Sequence, residues 1–242
     1  MKLSKDLPRN RSCSCPICET TTKMVSTHEW LRDNYRCSSC NSIPRDRALR
    51  RILTKYFPDW KEKLVVEFAP SNGLIKQAAS NYLGSQYYPN LKLGKVINGY
   101  RNENLEETTF EDNSIDIIIH LDVMEHIFRP DKAVQEMSRI LKPKGAAIFT
   151  FPIYKDLERS KCRAKLSESG EIIHILPEEY HGNPVGDGKS LVTWHYGQDI
   201  LSLFEEWINN NNIDVERFNE QFPDMGIEGE FLDVFVIKKR GD

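Results

Sequence analysis

The sequence lacks any hydrophobic run long enough to form a membrane helix. The longest apolar run, residues 115–123, is interrupted by Asp116, His120 and Asp122, whereas such a helix needs about 20 predominantly apolar residues. Residues 1–11 are polar and contain no apolar core of the kind that a secretory signal peptide has. From these absences we expect a cytoplasmic protein with no membrane partner.

A strong excess of one charge is also missing. The 242 residues include 33 Lys and Arg and 36 Asp and Glu. Residues 1–60 hold twelve of the basic and six of the acidic residues, while the remainder holds 21 and 30. The excess of basic residues in 1–60 is modest. It favours an ordinary solvated surface over a binding surface for an anionic partner. The length allows one large domain and a small module.

Four of the six cysteines form two C-x2-C pairs separated by eighteen residues, namely Cys15, Cys18, Cys37 and Cys40. Each pair can supply two thiolates from one tight turn, and zinc binds four thiolates in a tetrahedron. A reducing cytosol disfavours disulfides. The spacing therefore predicts a structural zinc ribbon within residues 1–43, behind a disordered lead-in. Cys13 is a possible substitute ligand, although C-x-C is the poorer arrangement.

Residues 44–60 are predicted to form a linking helix. The apolar residues between 49 and 57 recur at helical spacing, and Pro44 suits the first turn of a helix. Four arginines are expected on the polar side of this helix: Arg45, Arg47, Arg50 and Arg51.

Residues 61–242 are predicted to form an α/β domain with a doubly wound, mainly parallel sheet, because short apolar runs alternate with helical periodicity. The pattern predicts the following strands and helices: strands at 64–68, 86–88, 115–121, 146–151, 213–218 and 230–237, and helices at 74–83, 130–141 and 200–208. Residues 152–195 are long, polar and rich in Gly and His, and we expect them to form an insertion or lid.

The first strand of this domain leads into a turn of mostly small residues, Ala-Pro-Ser-Asn-Gly at 69–73. Such a turn between a strand and a helix lets a ligand approach backbone N–H groups. Only one glycine is present, so a phosphate-cradling loop is not supported.

Residues 111–126 and 139–145, with a helix between them, resemble the central part of class I S-adenosylmethionine-dependent methyltransferases of the type 11 kind. The resemblance covers residues 64–151, and Glu-Phe-Ala-Pro at 67–70 is similar to a variant that follows a cysteine ribbon. The family has a Rossmann-like sheet of seven strands. The resemblance therefore implies this fold, and S-adenosylmethionine as cofactor.

The resemblance also implies the residues that contact the cofactor. They are Glu67, Ala69, Pro70, Ser71, Gly73, Asn90, Asn104, Leu105, His120 and Leu121. The family usually carries an acid after the second strand for the ribose hydroxyls. Here Tyr-Pro-Asn at 88–90 contains no carboxylate, and Asn90 stands in its place.

The acceptor site is expected at the ends of the later strands. Asp122, His126, Tyr180 and His181 are the catalytic candidates, because carboxylates, a phenol and imidazoles can bind an acceptor or remove a proton. Asp122, Glu125 and His126 are also chemically able to ligate Mg²⁺ or Zn²⁺ with a later histidine. A structural role for the Glu-His pair remains the commoner alternative.

The expected function is methyl transfer to an oxygen or nitrogen atom of a small-molecule acceptor. One alternative is a nucleic-acid methyltransferase in which the ribbon and residues 45–51 dock RNA. The sequence has no Asn/Asp-Pro-Pro-Tyr/Phe motif for exocyclic amines. Another alternative is a catalytically inactive zinc adaptor on the same fold, which the missing ribose acid would explain.

Overall fold

The computed structural model describes residues 9–183, 188–208 and 212–241. The chain divides into two compact units, one of Met1–Asp59 with Phe218–Val234, and the other of Trp60–Arg217 with Phe235–Asp242. The lead-in before Arg9, residues 184–187 of the expected lid and Asn209 to Asn211 lie outside the described residues.

The first unit is built on a small antiparallel sheet with strand order β1-β2-β3. Its elements are β1 (Arg9–Cys15), β2 (Thr20–Ser26), α1 (Leu31–Asn34), β3 (Arg36–Cys37) and α2 (Pro44–Tyr56). Each C-x2-C pair begins at the end of a strand, because Cys15 ends β1 and Cys37 ends β3. The sheet therefore positions the two pairs.

Helix α2 begins where the sequence indicates, at Pro44, and the Ile43 N–H donates to Asp46 Oδ2 at 3.0 Å. The expected distribution of its arginines is wrong for two positions, since Arg47 is 0% and Arg50 2% exposed. Arg47 donates to the carbonyl oxygens of Ser42, Tyr35 and Gly226, the last two at 2.8 and 2.7 Å. Gly226 comes from a distant part of the chain, so local periodicity carries no signal of this burial.

The second unit contains the large sheet and the long insertion. Its elements among the described residues are β4 (Leu64–Phe68), β5 (Asn81–Gln86), β6 (Val96–Ile97), β7 (Tyr100–Asn102), β8 (Ile115–Leu121), α3 (Pro130–Ile140), β9 (Leu141–Thr150), β10 (Lys161–Cys162), β11 (Ala164–Leu166), β12 (Ile172–His174), β13 (Tyr180–Gly182), β14 (Lys189–Leu191), β15 (Trp194–His195), α4 (Ile200–Trp207), β16 (Ile213–Phe218) and β17 (Val234–Lys239).

The large sheet has eight strands in the order β16-β17-β9-β8-β4-β5-β7-β6. The neighbours β5, β4, β8 and β9 run parallel, as does β7 beside β5. This confirms the predicted α/β architecture. The sheet exceeds the expected seven strands because β6 pairs antiparallel with β7 as a short hairpin.

The strand order reverses between β4 and β8. The chain passes from β4 to β5 on one side and later returns to β8 on the other side of β4. In open α/β sheets, ligands bind beyond the carboxyl ends of the strands at such a switch point. The carboxyl ends of β4 and β8 are therefore the first place to look for a site.

The helix predicted at 74–83 is wrong. A turn occupies residues 74–78, and β5 already begins at Asn81, where the strand had been expected only from residue 86. Leu83 pairs with Val66 in β4, and the Ser80 hydroxyl and N–H both donate to the Lys61 carbonyl oxygen. Sheet pairing outweighs the local helical pattern here.

The remaining elements match the prediction with shifted ends. Strand β9 starts at Leu141 rather than 146, and β17 starts at Val234 rather than 230. The insertion at 152–195 contains three two-stranded pairs, β10 with β15, β11 with β12, and β13 with β14. No helix within the described ranges is long and apolar enough to cross a membrane.

Candidate active site

The four paired cysteines meet in the first unit. Cys15 Sγ lies 3.7 Å from Cys40 Sγ, and Cys18 Sγ lies 3.8 Å from Cys37 Sγ. All four sulfur atoms lie within 4.8 Å of one another. Zinc–sulfur bonds of about 2.3 Å in a tetrahedron place sulfur atoms about 3.8 Å apart. The thiols are thus arranged as a four-thiolate zinc site requires.

Backbone N–H groups of the second pair favour a thiolate. Burial raises the pKa of Cys37, but the N–H groups of Cys40 and Ser39 outweigh it and lower that pKa to about 7. Cys13 does not join the group. Its thiol donates to the Pro223 carbonyl oxygen at 3.4 Å and lies 4.0 Å from the Tyr35 hydroxyl.

The switch point carries two strained non-glycine residues. Ala69, directly after β4, has φ +50°, and Asp122, directly after β8, has φ +53°. Each is anchored to a neighbouring strand, because the Ala69 N–H donates to the Ser85 carbonyl oxygen and the Asp122 N–H to the Thr150 carbonyl oxygen, both at 2.8 Å. Such outliers persist only where the surrounding structure holds them, and they cluster at functional sites.

Two buried polar side chains at the same strand ends have no hydrogen-bond partner among the described residues. They are His120, through both ring nitrogens, and Ser85, through its hydroxyl. Both align with Phe68 in the sheet register, so the three side chains share one face. Unpartnered buried polar groups are destabilising. Their position at the switch point indicates that a bound ligand supplies the missing hydrogen-bond partners.

His120 itself lies in an apolar environment. Its ring stacks on Phe149 with centroids 4.4 Å apart. Burial lowers the pKa of His120 to about 3, and the nearby Asp122 carboxylate opposes that shift only partly. The imidazole is therefore neutral at physiological pH.

Glu67 projects from the opposite face of the sheet, since it is adjacent to Phe68 in the strand. It is 2% exposed and accepts a hydrogen bond of 2.8 Å from the Tyr82 hydroxyl. Burial and the Glu67 carboxylate raise the pKa of Tyr82. The carboxylate is therefore fixed in place next to the turn at 69–73.

The other predicted cofactor contacts lie after β4 (Pro70, Ser71 and Gly73), after β5 (Asn90), after β7 (Asn104 and Leu105) and at the end of β8 (Leu121). Ser71 and Asn90 are exposed, Pro70 is half-buried, and Leu105 is buried in the core. Asn104 Oδ1 accepts from the Glu106 N–H at 3.0 Å, which leaves this oxygen a second lone pair. Gly73 has φ +70°, and only Gln77 Nε2, at 3.7 Å, approaches the position of a Cβ there.

In the turn after β8 and on β13, the structure brings Glu125, His126 and His181 together. Glu125 Oε1 lies 3.9 Å from His126 Nε2 and 3.8 Å from His181 Nδ1. The two imidazole rings meet edge to face at 5.1 Å. Burial lowers the pKa of His126, and its hydrogen bond to the Leu191 carbonyl partly compensates. Glu125 thus lies between two neighbouring histidines.

Tyr180 does not join this group, and its expected place beside His181 is corrected. Both lie on β13, where successive side chains point to opposite faces. Tyr180 is 48% exposed, and its hydroxyl donates to Glu178 at 2.8 Å. Glu178 in turn lies 3.4 Å from His174.

Sequence reasoning missed the residues that hold this group. Thr193 donates from its N–H to the Glu125 carbonyl oxygen at 2.8 Å and from its hydroxyl to the Ile127 carbonyl oxygen at 2.7 Å. The Tyr196 hydroxyl donates to the Met124 carbonyl oxygen at 3.0 Å. Thr and Tyr are common in strands and loops, so no sequence signal distinguishes them.

Comparison with known proteins gives matches to methyltransferases. Residues 50–149 match a family model described as a methyltransferase domain. A glycine/sarcosine/dimethylglycine N-methyltransferase of Actinopolyspora halophila is 31% identical over 118 residues, which are 49% of this chain and 17% of that protein. The matched segment therefore spans about a sixth of that relative.

Similarity to one solved structure shows the fold. The [4+2]-cyclase SpnF superposes with a TM-score of 0.50 at 9% identity, covering 90% of this chain and 88% of SpnF. An S-adenosylmethionine-dependent methyltransferase from Mesorhizobium loti has a TM-score of 0.48 at 14% identity, covering 80% and 98%. The sheet order and the SpnF match agree on a Rossmann-like methyltransferase fold. Fold alone does not fix a reaction.

Proposed function

We propose that the second unit is an S-adenosylmethionine-dependent methyltransferase acting on an oxygen or nitrogen atom of a small molecule, and that the first unit holds a structural zinc ion. The observation that carries the enzyme assignment is the pair of strained turns at Ala69 and Asp122. They lie at the switch point of the sheet, within the segment that matches the methyltransferase domain model.

The residues at this point fit the cofactor. At the turn at 69–73 a Cβ on Gly73 would contact Gln77 Nε2 at 3.7 Å, and Ser85 and His120 offer buried polar atoms that lack partners among the described residues. Asn104 Oδ1 retains a free lone pair for an amino group. When bound, S-adenosylmethionine supplies a methyl group that its sulfonium already activates.

The chain's own task is then to align the acceptor and exclude water. Glu125, His126 and His181 supply one carboxylate and two imidazoles for contacts with the acceptor. A small-molecule acceptor is also what the name of the Actinopolyspora relative indicates for that protein.

The RNA alternative is less well supported. Arg47 and Arg50, two of the four arginines proposed to dock RNA, are buried, and Arg47 is bonded to backbone carbonyl groups. Buried guanidinium groups cannot neutralise phosphates on a surface. The burial of these arginines supports a small-molecule acceptor over RNA in this proposal.

Titration calorimetry with S-adenosylmethionine and S-adenosylhomocysteine tests the cofactor site. Gly73→Val should weaken binding of both by more than about tenfold, because the valine side chain occupies the space that the cofactor is proposed to approach and is strained at positive φ by about 1–2 kcal/mol. Gly99→Val is the matched control, since Gly99 has φ +83° and no atom within 4 Å of its Cβ position.

The control should retain wild-type affinity. Equal affinities of the two variants would place the pocket elsewhere. Binding of neither compound by the wild type would support the inactive zinc adaptor instead.

A further inference from the structure

The group formed by Glu125, His126 and His181 has the composition and spacing of a metal site. The three ligand atoms, one from each residue, lie within 4.8 Å of one another. Glu125 Oε1 is 3.8 Å from the His181 nitrogen and 3.9 Å from the His126 nitrogen. Two ligands at about 2.1 Å from a tetrahedral metal lie about 3.4 Å apart. A shift of about half an ångström therefore suffices for the two pairs that include Glu125.

Hydrogen bonding directs the lone pair of His126 into the group. His126 Nδ1 lies 2.8 Å from the Leu191 carbonyl oxygen. A carbonyl oxygen can only accept, so Nδ1 carries the hydrogen and Nε2 keeps its lone pair when the ring is neutral. Nε2 is the nitrogen that faces Glu125.

A carboxylate lies near the other nitrogen of His181. Its Nδ1 faces Glu125, while its Nε2 lies 3.7 Å from Glu179 Oε1. Metal-bound histidines almost always present their other nitrogen to a carboxylate, a backbone carbonyl or water. His126 follows this pattern through its hydrogen bond to a carbonyl, and His181 has a carboxylate at ion-pair distance from its other nitrogen.

The supports of the group are themselves fixed. Glu179 Oε2 lies 3.2 Å from Arg163 Nη2 and 3.1 Å from His195 Nε2. The backbone carbonyl of Glu125 accepts from Thr193, as described above. These contacts join Glu179, which directly precedes β13, to Arg163 and to His195 on β15, and they join the turn after β8 to Thr193, which directly precedes β15. Separate segments of the insertion therefore hold the group.

We propose that Glu125, His126 and His181 bind one divalent transition-metal ion, such as Zn²⁺ or Mn²⁺. Two imidazoles disfavour Mg²⁺ and Ca²⁺, which prefer oxygen ligands. Three protein ligands leave at least one coordination position open, as in catalytic rather than structural sites.

The open position would receive an oxygen atom of the acceptor. A hydroxyl or carboxylate bound there is oriented, and a hydroxyl loses its proton more readily. This use of the metal rests on the proposed methyl transfer, whereas metal binding itself does not.

Metal titration of the full chain, with its cysteine site first loaded with zinc, tests the proposal. Zn²⁺ is followed by equilibrium dialysis, and Mn²⁺ by loss of the free-ion electron paramagnetic resonance signal. Mn²⁺ is informative because it binds weakly to thiolates and so reports on the nitrogen and oxygen site. The wild type should bind one Mn²⁺, and one Zn²⁺ beyond the first.

His181→Ala should weaken this binding by more than about a hundredfold, since loss of an outer-shell partner alone costs about 10–100-fold. His174→Ala is the matched control, because both histidines belong to the insertion and their side chains are 33% and 35% exposed. Glu125→Gln, which keeps the side-chain volume, should behave like His181→Ala.

Absence of a second metal in the wild type, or equal affinities of the His181 and His174 variants, would overturn the proposal. In that case the group is an ion pair between Glu125 and the histidines. Calorimetry with S-adenosylmethionine on the same samples separates the two claims. Metal binding without cofactor binding would support the metal site and contradict the proposed methyltransferase function.

Discussion

Replacing Cys37 by serine is expected to release the zinc ion that we propose for the first unit and to unfold the sheet formed by β1, β2 and β3. Structural zinc in small modules contributes about 10–16 kcal/mol at neutral pH, which is folding free energy. The apolar core beneath this sheet contains few side chains other than cysteines, chiefly Met24, Leu31 and Tyr35. Without metal, so small a core cannot offset the chain entropy lost on folding.

Zinc content by elemental analysis and amide hydrogen exchange over residues 9–43 measure this effect. Cys13→Ser is the matched control, because Cys13 is as buried as Cys37, lies on strand β1 of the same sheet and is outside the four-thiol group. It should keep one zinc ion per chain. Full zinc retention in Cys37→Ser, or equal loss in both variants, would refute the assignment of the ligands.

Replacing His120 by phenylalanine is expected to remove an acid-sensitive element of the second unit. Burial lowers the pKa of His120 to about 3 in the folded protein, whereas an unfolded histidine titrates near about 6.5. Below pH ~6.5 the unfolded chain therefore binds a proton that the folded chain does not, and stability falls as the pH falls. The loss continues until the pH reaches the folded pKa.

Between pH ~7.5 and ~4.5 the wild type should lose about 2–3 kcal/mol more unfolding free energy than His120→Phe. Urea denaturation of the cofactor-free proteins at both pH values gives the difference. Phenylalanine preserves the stacking on Phe149 and removes the two nitrogens. His174→Ala, a variant of an exposed histidine, should follow the wild type. Parallel pH dependence of His120→Phe and the wild type would show that His120 is not buried in its neutral form.

The parts of the fold with strong local signals were predicted well from the sequence. The apolar run at Ile115–Leu121 forms β8 as expected, and Pro130 starts α3. The two C-x2-C pairs could be identified from the sequence alone, because each pair is a local turn and the geometry of a metal site restricts the spacing of its cysteines. The architecture followed from the alternation of these elements.

The failures came from contacts between distant residues. Leu83 belongs to a strand because Val66 pairs with it, and Arg47 is buried because Gly226 accepts its hydrogen bonds. Neither partner lies near in sequence. Periodicity shows which residues of one helix or strand share a face. It does not show which distant residues cover the other face.

The candidate site was predicted only in part, because contacts between distant residues also bring its side chains together. His126 and His181 were chosen from the sequence, and the structure brings them together through Glu125. Tyr180 was grouped with His181 because the two are adjacent, but residues adjacent in a strand face opposite sides. If residues 180–182 had been predicted as a strand, Tyr180 and His181 would have been assigned to opposite faces of that strand.

Methyl transfer is tested most directly with S-adenosylmethionine that carries a labelled methyl group. The purified, metal-loaded protein is incubated with the labelled compound and with small-molecule and RNA fractions of a cell extract, and S-adenosylhomocysteine is quantified in parallel. Label is expected in a compound of the small-molecule fraction, with one S-adenosylhomocysteine formed for each methyl group transferred. Formation of S-adenosylhomocysteine no faster than without the protein, in every fraction, would contradict a methyltransferase function.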